Sequence, residues 1–244
     1  GPRHRGPRTV IYDCVNDSFW MSPPEKPALD RRHVHLWRLR LESGLYDGDA
    51  LLSLPEKARR DRFLLADARR RYAAARGTLR RILSAYLGTD PAAVRIAEAE
   101  GGKPFLESGE LQFNVSHTAG LALIAVGGQR RVGVDVERER SISGAMAIAE
   151  RLFDPAERDS LRETPDEQRI RKFFEYWTEK EARVKAIGGG VWDLHSADLS
   201  GSWRLRRIPA GEGFIAALVV EGEDDWELSA FDVSPERFPA ENRY

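Results

Sequence analysis

The hexapeptide VGVDVE at 132–137 alternates strictly, so Val132, Val134 and Val136 face one way while Gly133, Asp135 and Glu137 face the other. The two carboxylates therefore share a strand face, about 7 Å apart by the strand repeat. Like charges so placed repel. The simplest relief is a hard divalent cation, since magnesium takes oxygen ligands and completes its shell with water and phosphate oxygens. Two solvated acids on an exposed strand face are the plainer alternative.

A third carboxylate bears on that choice. The stretch 164–190, TPDEQRIRKFFEYWTEKEARVKAIGGG, reads as one long helix. Thr164 as cap, Pro165 at the first helical position and Glu167 three residues on make its start, and the glycines from Gly188 its stop. Ile170, Phe173, Phe174, Trp177, Val184 and Ile187 recur at spacings of three and four and form a core-facing stripe. Glu181 interrupts the stripe, about 40° round from Trp177. A lone carboxylate there is expensive to bury, so it needs compensation: an ion pair with Lys185 one turn on, protonation, or a metal ion. Ser116 and His117 end a second predicted strand, but no acidic partner completes a triad, which excludes a serine hydrolase.

The chain around these residues has 244 residues, 41% of them hydrophobic, enough for one large domain or two packed halves. Its 38 basic and 39 acidic residues nearly cancel, so no global field favours nucleic acid as a partner. The single cysteine, Cys14, offers neither an internal disulfide nor a zinc site and fits a cytoplasmic protein. No apolar run approaches a membrane span, so no membrane partner is expected.

The supporting elements follow from periodicity and punctuation. Residues 1–30 are expected to be a poorly structured extension. Residues 33–41 (HVHLWRLRL) alternate, shift phase at Leu36-Trp37 and alternate again, as a bulged strand would. Residues 54–87 read as helical and strongly basic, with more arginines than a solvated rim needs. Residues 94–97 suggest a strand, and Gly101-Gly102-Lys103-Pro104 a tight loop. Residues 111–117 and 121–126 suggest a hairpin, and a helix opened by Asp154-Pro155 takes Glu157 as a capping-box member. Residues 202–207, 214–220 and 226–231 read as three closing strands in a meander. The expected division is an N-terminal half at 31–129 and a C-terminal half at 130–244, with a site between them.

Taken in order, GKP (102–104), FNVSH (113–117), VGVDVE (132–137) and WTEKEARVK (177–185) resemble the signatures of the Sfp-type 4′-phosphopantetheinyl transferases. The resemblance covers most of 54–191 and implies an α+β, pseudo-twofold monomer of two similar halves. It implies transfer of the 4′-phosphopantetheine arm of coenzyme A to a serine of an apo-carrier protein, releasing adenosine 3′,5′-bisphosphate. By that resemblance Asp135, Glu137 and Glu181 bind magnesium, Glu181 is the candidate base, and Lys185 serves the pyrophosphate and the leaving group. Gly102, Lys103 and Pro104 lie against the adenine nucleotide, and Ser116 and His117 touch phosphate. Lys57 and Arg71 match phosphate-binding positions across a one-residue gap, with Arg59, Arg60, Arg69, Arg70 and Arg76 as competitors. The alternative function is a non-catalytic coenzyme A or nucleotide-binding protein of the same fold.

Overall fold

The computed structural model of the chain describes residues 19–41, 48–99, 102–118, 120–189, 202–222 and 225–233. Strand β1 (His33–Arg40) is followed by α1 (Leu54–Asp61), α2 (Ala66–Leu87), β2 (Ile96–Glu98), β3 (Pro104–Leu106), β4 (Gln112–Thr118), β5 (Leu121–Gly128) and β6 (Val132–Arg138). Then come α3 (Ala145–Leu152), α4 (Pro155–Glu163), α5 (Asp166–Ile187), β7 (Trp203–Ile208), β8 (Phe214–Glu221) and β9 (Glu227–Val233).

Two sheets lie back to back. One has the order β4-β5-β1-β9, the other β6-β8-β7, with β2-β3 a separate hairpin. Val34, Leu36, Leu121, Leu123, Val132, Val134, Val136 and Leu218 fill the space between them. A 22-residue helix covers each outer face: α2 through Leu79, Ile82 and Leu83, and α5 through Ala182 and Ala186. These are the two α+β halves the resemblance implied.

Three expectations are corrected. The phase shift in β1 is not a bulge, because its register with β5 and β9 is continuous. The strand is central and buried on both faces, Val34 and Leu36 in one core and Trp37 and Leu39 in the other, so hydrophobicity does not alternate. The closing strands are not a meander: β7 pairs with β8, but β9 leaves to run parallel to β1 in the other sheet. There Asp232 takes two hydrogen bonds from Arg38, each at 2.9 Å. The start of α5 is also different. Thr164 ends α4, its hydroxyl donating to the Ser160 carbonyl at 2.7 Å, and α5 begins after Pro165 without a side-chain cap.

The N-terminal stretch is more structured than expected where it is described. Trp20 Nε1 donates to the Pro209 carbonyl at 2.8 Å, and Met21 bridges to Phe231 beside β9; residues 1–18 lie outside the described residues. The basic stretch 54–87 is broken at 62–65 into α1 and α2. The fold-back lets Glu56, 5% exposed, reach Arg76 Nε through Oε1 at 2.5 Å and Arg80 Nε through Oε2 at 2.8 Å, while the same Oε2 caps α1 by accepting from Ser53 N at 2.7 Å. Two of the surplus arginines thus answer a buried carboxylate.

Candidate functional site

The site forms where β4 and β6, one from each sheet, run side by side. They are joined by side chains: Val134 N donates to Asn114 Oδ1 at 2.9 Å, and Val136 N to Ser116 Oγ at 3.2 Å. On its other face β6 lies under α5. Gly133 makes that possible, since a Cβ there would meet the Ala182 carbonyl oxygen at 1.9 Å and Ala186 N at 2.5 Å. With the helix this close, residues two and four further along β6 come under Glu181 and Lys185.

Lys185 Nζ lies 2.6 Å from Asp135 Oδ1 and donates to Ser116 Oγ at 3.0 Å, and Ser116 Oγ donates to the same carboxylate oxygen at 2.8 Å. Asp135, 4% exposed, is paired through one oxygen only; its Oδ2 is buried without a hydrogen-bond partner, and so is Glu181 Oε1. Buried orphan oxygens are costly, and two on facing elements are a signal. Burial raises the Glu181 pKa, the Asp135 charge raises it further, Lys185 opposes, and Glu137 adds to the rise. Lys185 thus makes its ion pair with Asp135, and it acts on Glu181 only as a nearby charge, not through the direct one-turn pair weighed from the sequence. Glu137 sits at the rim, 3.1 Å from Arg140 Nη1.

Among the described residues no three acidic, histidine or cysteine side chains form a ready-made metal cage. The donor set nevertheless fits a hard cation. The unpaired oxygens of Asp135 and Glu181 are the ligand type magnesium takes, and the mutual repulsion in the Glu181 pKa is what a cation relieves.

The remaining residues lie round this cluster. Lys103, placed by the turn at Gly102 (φ 77°) just before Pro104 opens β3, donates from Nζ to the Lys185 carbonyl at 2.6 Å and ties the hairpin to the last turn of α5. Burial, then Arg131, lowers its pKa. His117 stays open to solvent at the rim, yet desolvation by its surroundings, then Lys185 and Arg59, lowers its pKa and favours the neutral ring. Glu157 accepts from Asp154 N at 2.8 Å and pairs with Lys180 at 2.8 Å, so its helix-end role stands.

Between α1, α2 and β2 lies a cavity of about 790 Å³ lined by Arg59, Arg62, Phe63, Tyr72, Arg76 and Glu98 among others. The Arg59 charge also contributes to the lowered pKa of His117. Lys57 and Arg71 are half-buried on the same helices and are not among its lining residues.

Two residues escaped the sequence reading. Asn114 sits inside FNVSH on the face opposite Phe113 and Val115, and a buried amide there was the available signal. Gly133 was counted only as part of an alternation, although a glycine within a strand marks close backbone approach.

Comparison with known proteins gives the family of the chain. The family model described as 4′-phosphopantetheinyl transferase superfamily matches residues 131–239, and one described as 4′-phosphopantetheinyl transferase, N-terminal, matches 46–128. The chain is 40% identical over 223 residues to the 4′-phosphopantetheinyl transferase HetI of Nostoc sp., spanning 83% of this chain and 94% of that protein. It is 32% identical over 172 residues to a phosphopantetheinyl transferase of Thraustochytrium sp., 63% of this chain and 56% of the other. Over 105 residues it is 32% identical to a 4′-phosphopantetheinyl transferase of Bacillus subtilis, 43% of this chain and 46% of that one. By the matched models and the near full-length relative, the chain belongs to the 4′-phosphopantetheinyl transferase superfamily.

Proposed function

We propose that this chain is a magnesium-dependent enzyme that moves the 4′-phosphopantetheine arm of coenzyme A to a serine hydroxyl of an apo-carrier protein, releasing adenosine 3′,5′-bisphosphate. The observation that carries the proposal is the pair of unpartnered buried oxygens, Asp135 Oδ2 on β6 and Glu181 Oε1 on α5, with the Lys185 ammonium beside them. Asp135, Glu137 and Glu181 would hold the ion, which when bound neutralises charge on the diphosphate. Glu181, its proton affinity raised by burial and by its neighbours, is suited to take the proton of the attacking hydroxyl. The new bond joins that oxygen to the phosphorus bearing the pantetheine arm; the bond that breaks is to the bridging oxygen, which leaves with the bisphosphate. Lys185 supplies positive charge, or a proton, to that oxygen.

The cavity beside Arg59 and Arg62 suits the adenosine bisphosphate end, with the Phe63 and Tyr72 rings offering apolar surface and His117 a hydrogen bond between cavity and cluster. Lys57 and Arg71 would steer phosphates from the same helices, and Lys103 with Gly102 and Pro104 would border the nucleotide. The test is mass spectrometry of an apo-carrier panel incubated with enzyme, coenzyme A and magnesium. One phosphopantetheinyl mass is gained, the gain is lost on chelation, and Glu181→Gln reduces it at least about a hundredfold while the fold persists. Coenzyme A binding without mass gain on any carrier would instead identify a binding protein, and substantial turnover by Glu181→Gln would remove its assigned role.

A further inference from the structure

Among the described residues both strands that meet at the cluster are sheet edges: β4 ends one sheet and β6 the other. An edge strand carries N–H groups without a ladder partner, and here they are buried, since Val134 and Val136 lie in the core between the sheets. Two side chains of β4 take the place of a neighbouring strand, Asn114 Oδ1 for Val134 N at 2.9 Å and Ser116 Oγ for Val136 N at 3.2 Å. The spacing of β4 and β6 is therefore set by the reach of side chains and not by a backbone ladder. Asp135 lies between the two anchored N–H groups.

The anchors differ in kind. Ser116 Oγ also serves Asp135 Oδ1 at 2.8 Å and Lys185 Nζ at 3.0 Å, so its hold on β6 is shared with the charges of the site. Asn114 is a neutral amide, 2% exposed, with no charge to change during a reaction. Only its carbonyl end can accept from an N–H, so the bond to Val134 also fixes which way the amide is turned.

We propose that Asn114 is a positioning residue for the transfer reaction: by holding Val134 N it fixes β6 against β4, and so keeps the Asp135 carboxylate in place for the cation it would share with Glu181. The inference rests on the transferase reading. An apolar residue of the same size would fill the same space but leave a buried N–H unpaired, and β6 would shift to find it a partner.

Asn114→Leu and Asn114→Ser test it. Leucine keeps the volume and removes the acceptor; serine offers the kind of hydroxyl that serves Val136 N. In Asn114→Leu the Val134 amide loses the protection from deuterium exchange that it has in the wild type. The Kd for manganese, read from the free-ion EPR signal with coenzyme A present, rises about tenfold or more and kcat falls with it, as when a residue supporting a metal ligand is lost. The Kd for coenzyme A without metal stays at the wild-type value, and Asn114→Ser recovers most of the manganese affinity. Should Asn114→Leu not fold, Asn114→Ala, which leaves room for a water on Val134 N, is read in the same way. Wild-type manganese affinity and kcat in the folded variant overturn the proposal, as does an Asn114→Ser variant as damaged as the leucine. Weakened coenzyme A binding without metal would make the role of Asn114 a general one in holding the fold and overturns it too. A wild type that modifies no carrier brings down the reaction itself, whereas a wild type that transfers and an Asn114→Leu variant that matches it bring down the positioning alone.

Discussion

Adding one methyl group at Gly133 tests the geometry of the site without touching any of its polar residues. The new Cβ would stand 1.9 Å from the Ala182 carbonyl oxygen, 2.5 Å from Ala186 N and 2.9 Å from Ala186 Cα, all of them α5 backbone. No rotamer relieves a contact with backbone, so helix and strand must part by about 1.5 Å to reach ordinary van der Waals separation. Overpacking of this kind costs about 2 kcal/mol, which lowers the urea midpoint by about 1 M. The larger effect is on position, because Glu181 and Lys185 ride on the displaced helix while Asp135 stays on the strand. A shift near 1 Å at a reacting centre costs about a hundredfold in rate. Gly144→Ala is the control. It has positive φ (80°) with nothing within 4 Å of its Cβ, so it loses about 1 kcal/mol of stability and no transfer activity. Urea denaturation of both variants with transfer to one carrier separates the two effects. If Gly133→Ala keeps wild-type kcat, α5 is not positioned by its contact with this glycine.

Two further perturbations probe the frame. His35 is buried, its Nδ1 2.7 Å from the Tyr86 hydroxyl, and burial lowers its pKa from 6.5 to about 4. The unfolded chain therefore takes up the proton first: stability is full above about pH 6.5 and falls as pH drops towards about 4, by up to about 3 kcal/mol. Urea midpoints between pH 7 and 4.5 should follow that fall, and His35→Gln should flatten it. Glu56→Gln leaves the buried Arg80 without its counter-charge and Arg76 with Glu98 alone, at 3.6 Å, and should cost about 3 kcal/mol, read from thermal or urea unfolding. A loss below 1 kcal/mol would show that the arginines find other partners there.

What the sequence disclosed, it disclosed through local misfits. Asp135 and Glu137 stood out because period-two alternation put two acids on one face, and Glu181 because it broke an apolar stripe. Both signals are short in range, and the folded chain keeps them. The partner of Lys185 was not legible, since spacing along α5 offers Glu181, whereas the fold delivers Asp135. That choice depends on how closely α5 approaches β6, which is set by an absent side chain at Gly133. The bulge expected in β1 failed for a related reason: two cores, one on each face, erase the alternation from which register is judged. The departure of β9 to pair with β1 lies wholly outside periodicity, because strand order is decided by which edge is open and not by the strand's own residues. The start of α5 was misplaced because Thr164 satisfies the end of α4 instead.

Ser116 shows how the pieces act together. A hydroxyl has one proton to give and two lone pairs to offer. Here the proton goes to Asp135 Oδ1, and the lone pairs take Val136 N and Lys185 Nζ. The group is saturated, so it is no nucleophile, and it can touch a phosphate only by surrendering one of these bonds. The bond to Val136 joins the two sheets and leaves a buried N–H if broken, whereas Lys185 is a flexible ammonium, 28% exposed, with solvent at hand. Lys185 is therefore the partner better able to yield. In the proposed reaction it would turn from Ser116 and Asp135 towards the diphosphate, which would free the hydroxyl to contact phosphate and the carboxylate oxygen to bind a counter-charge. Until then its contacts with Ser116 and Asp135 tie α5 to β4 and β6 at the site.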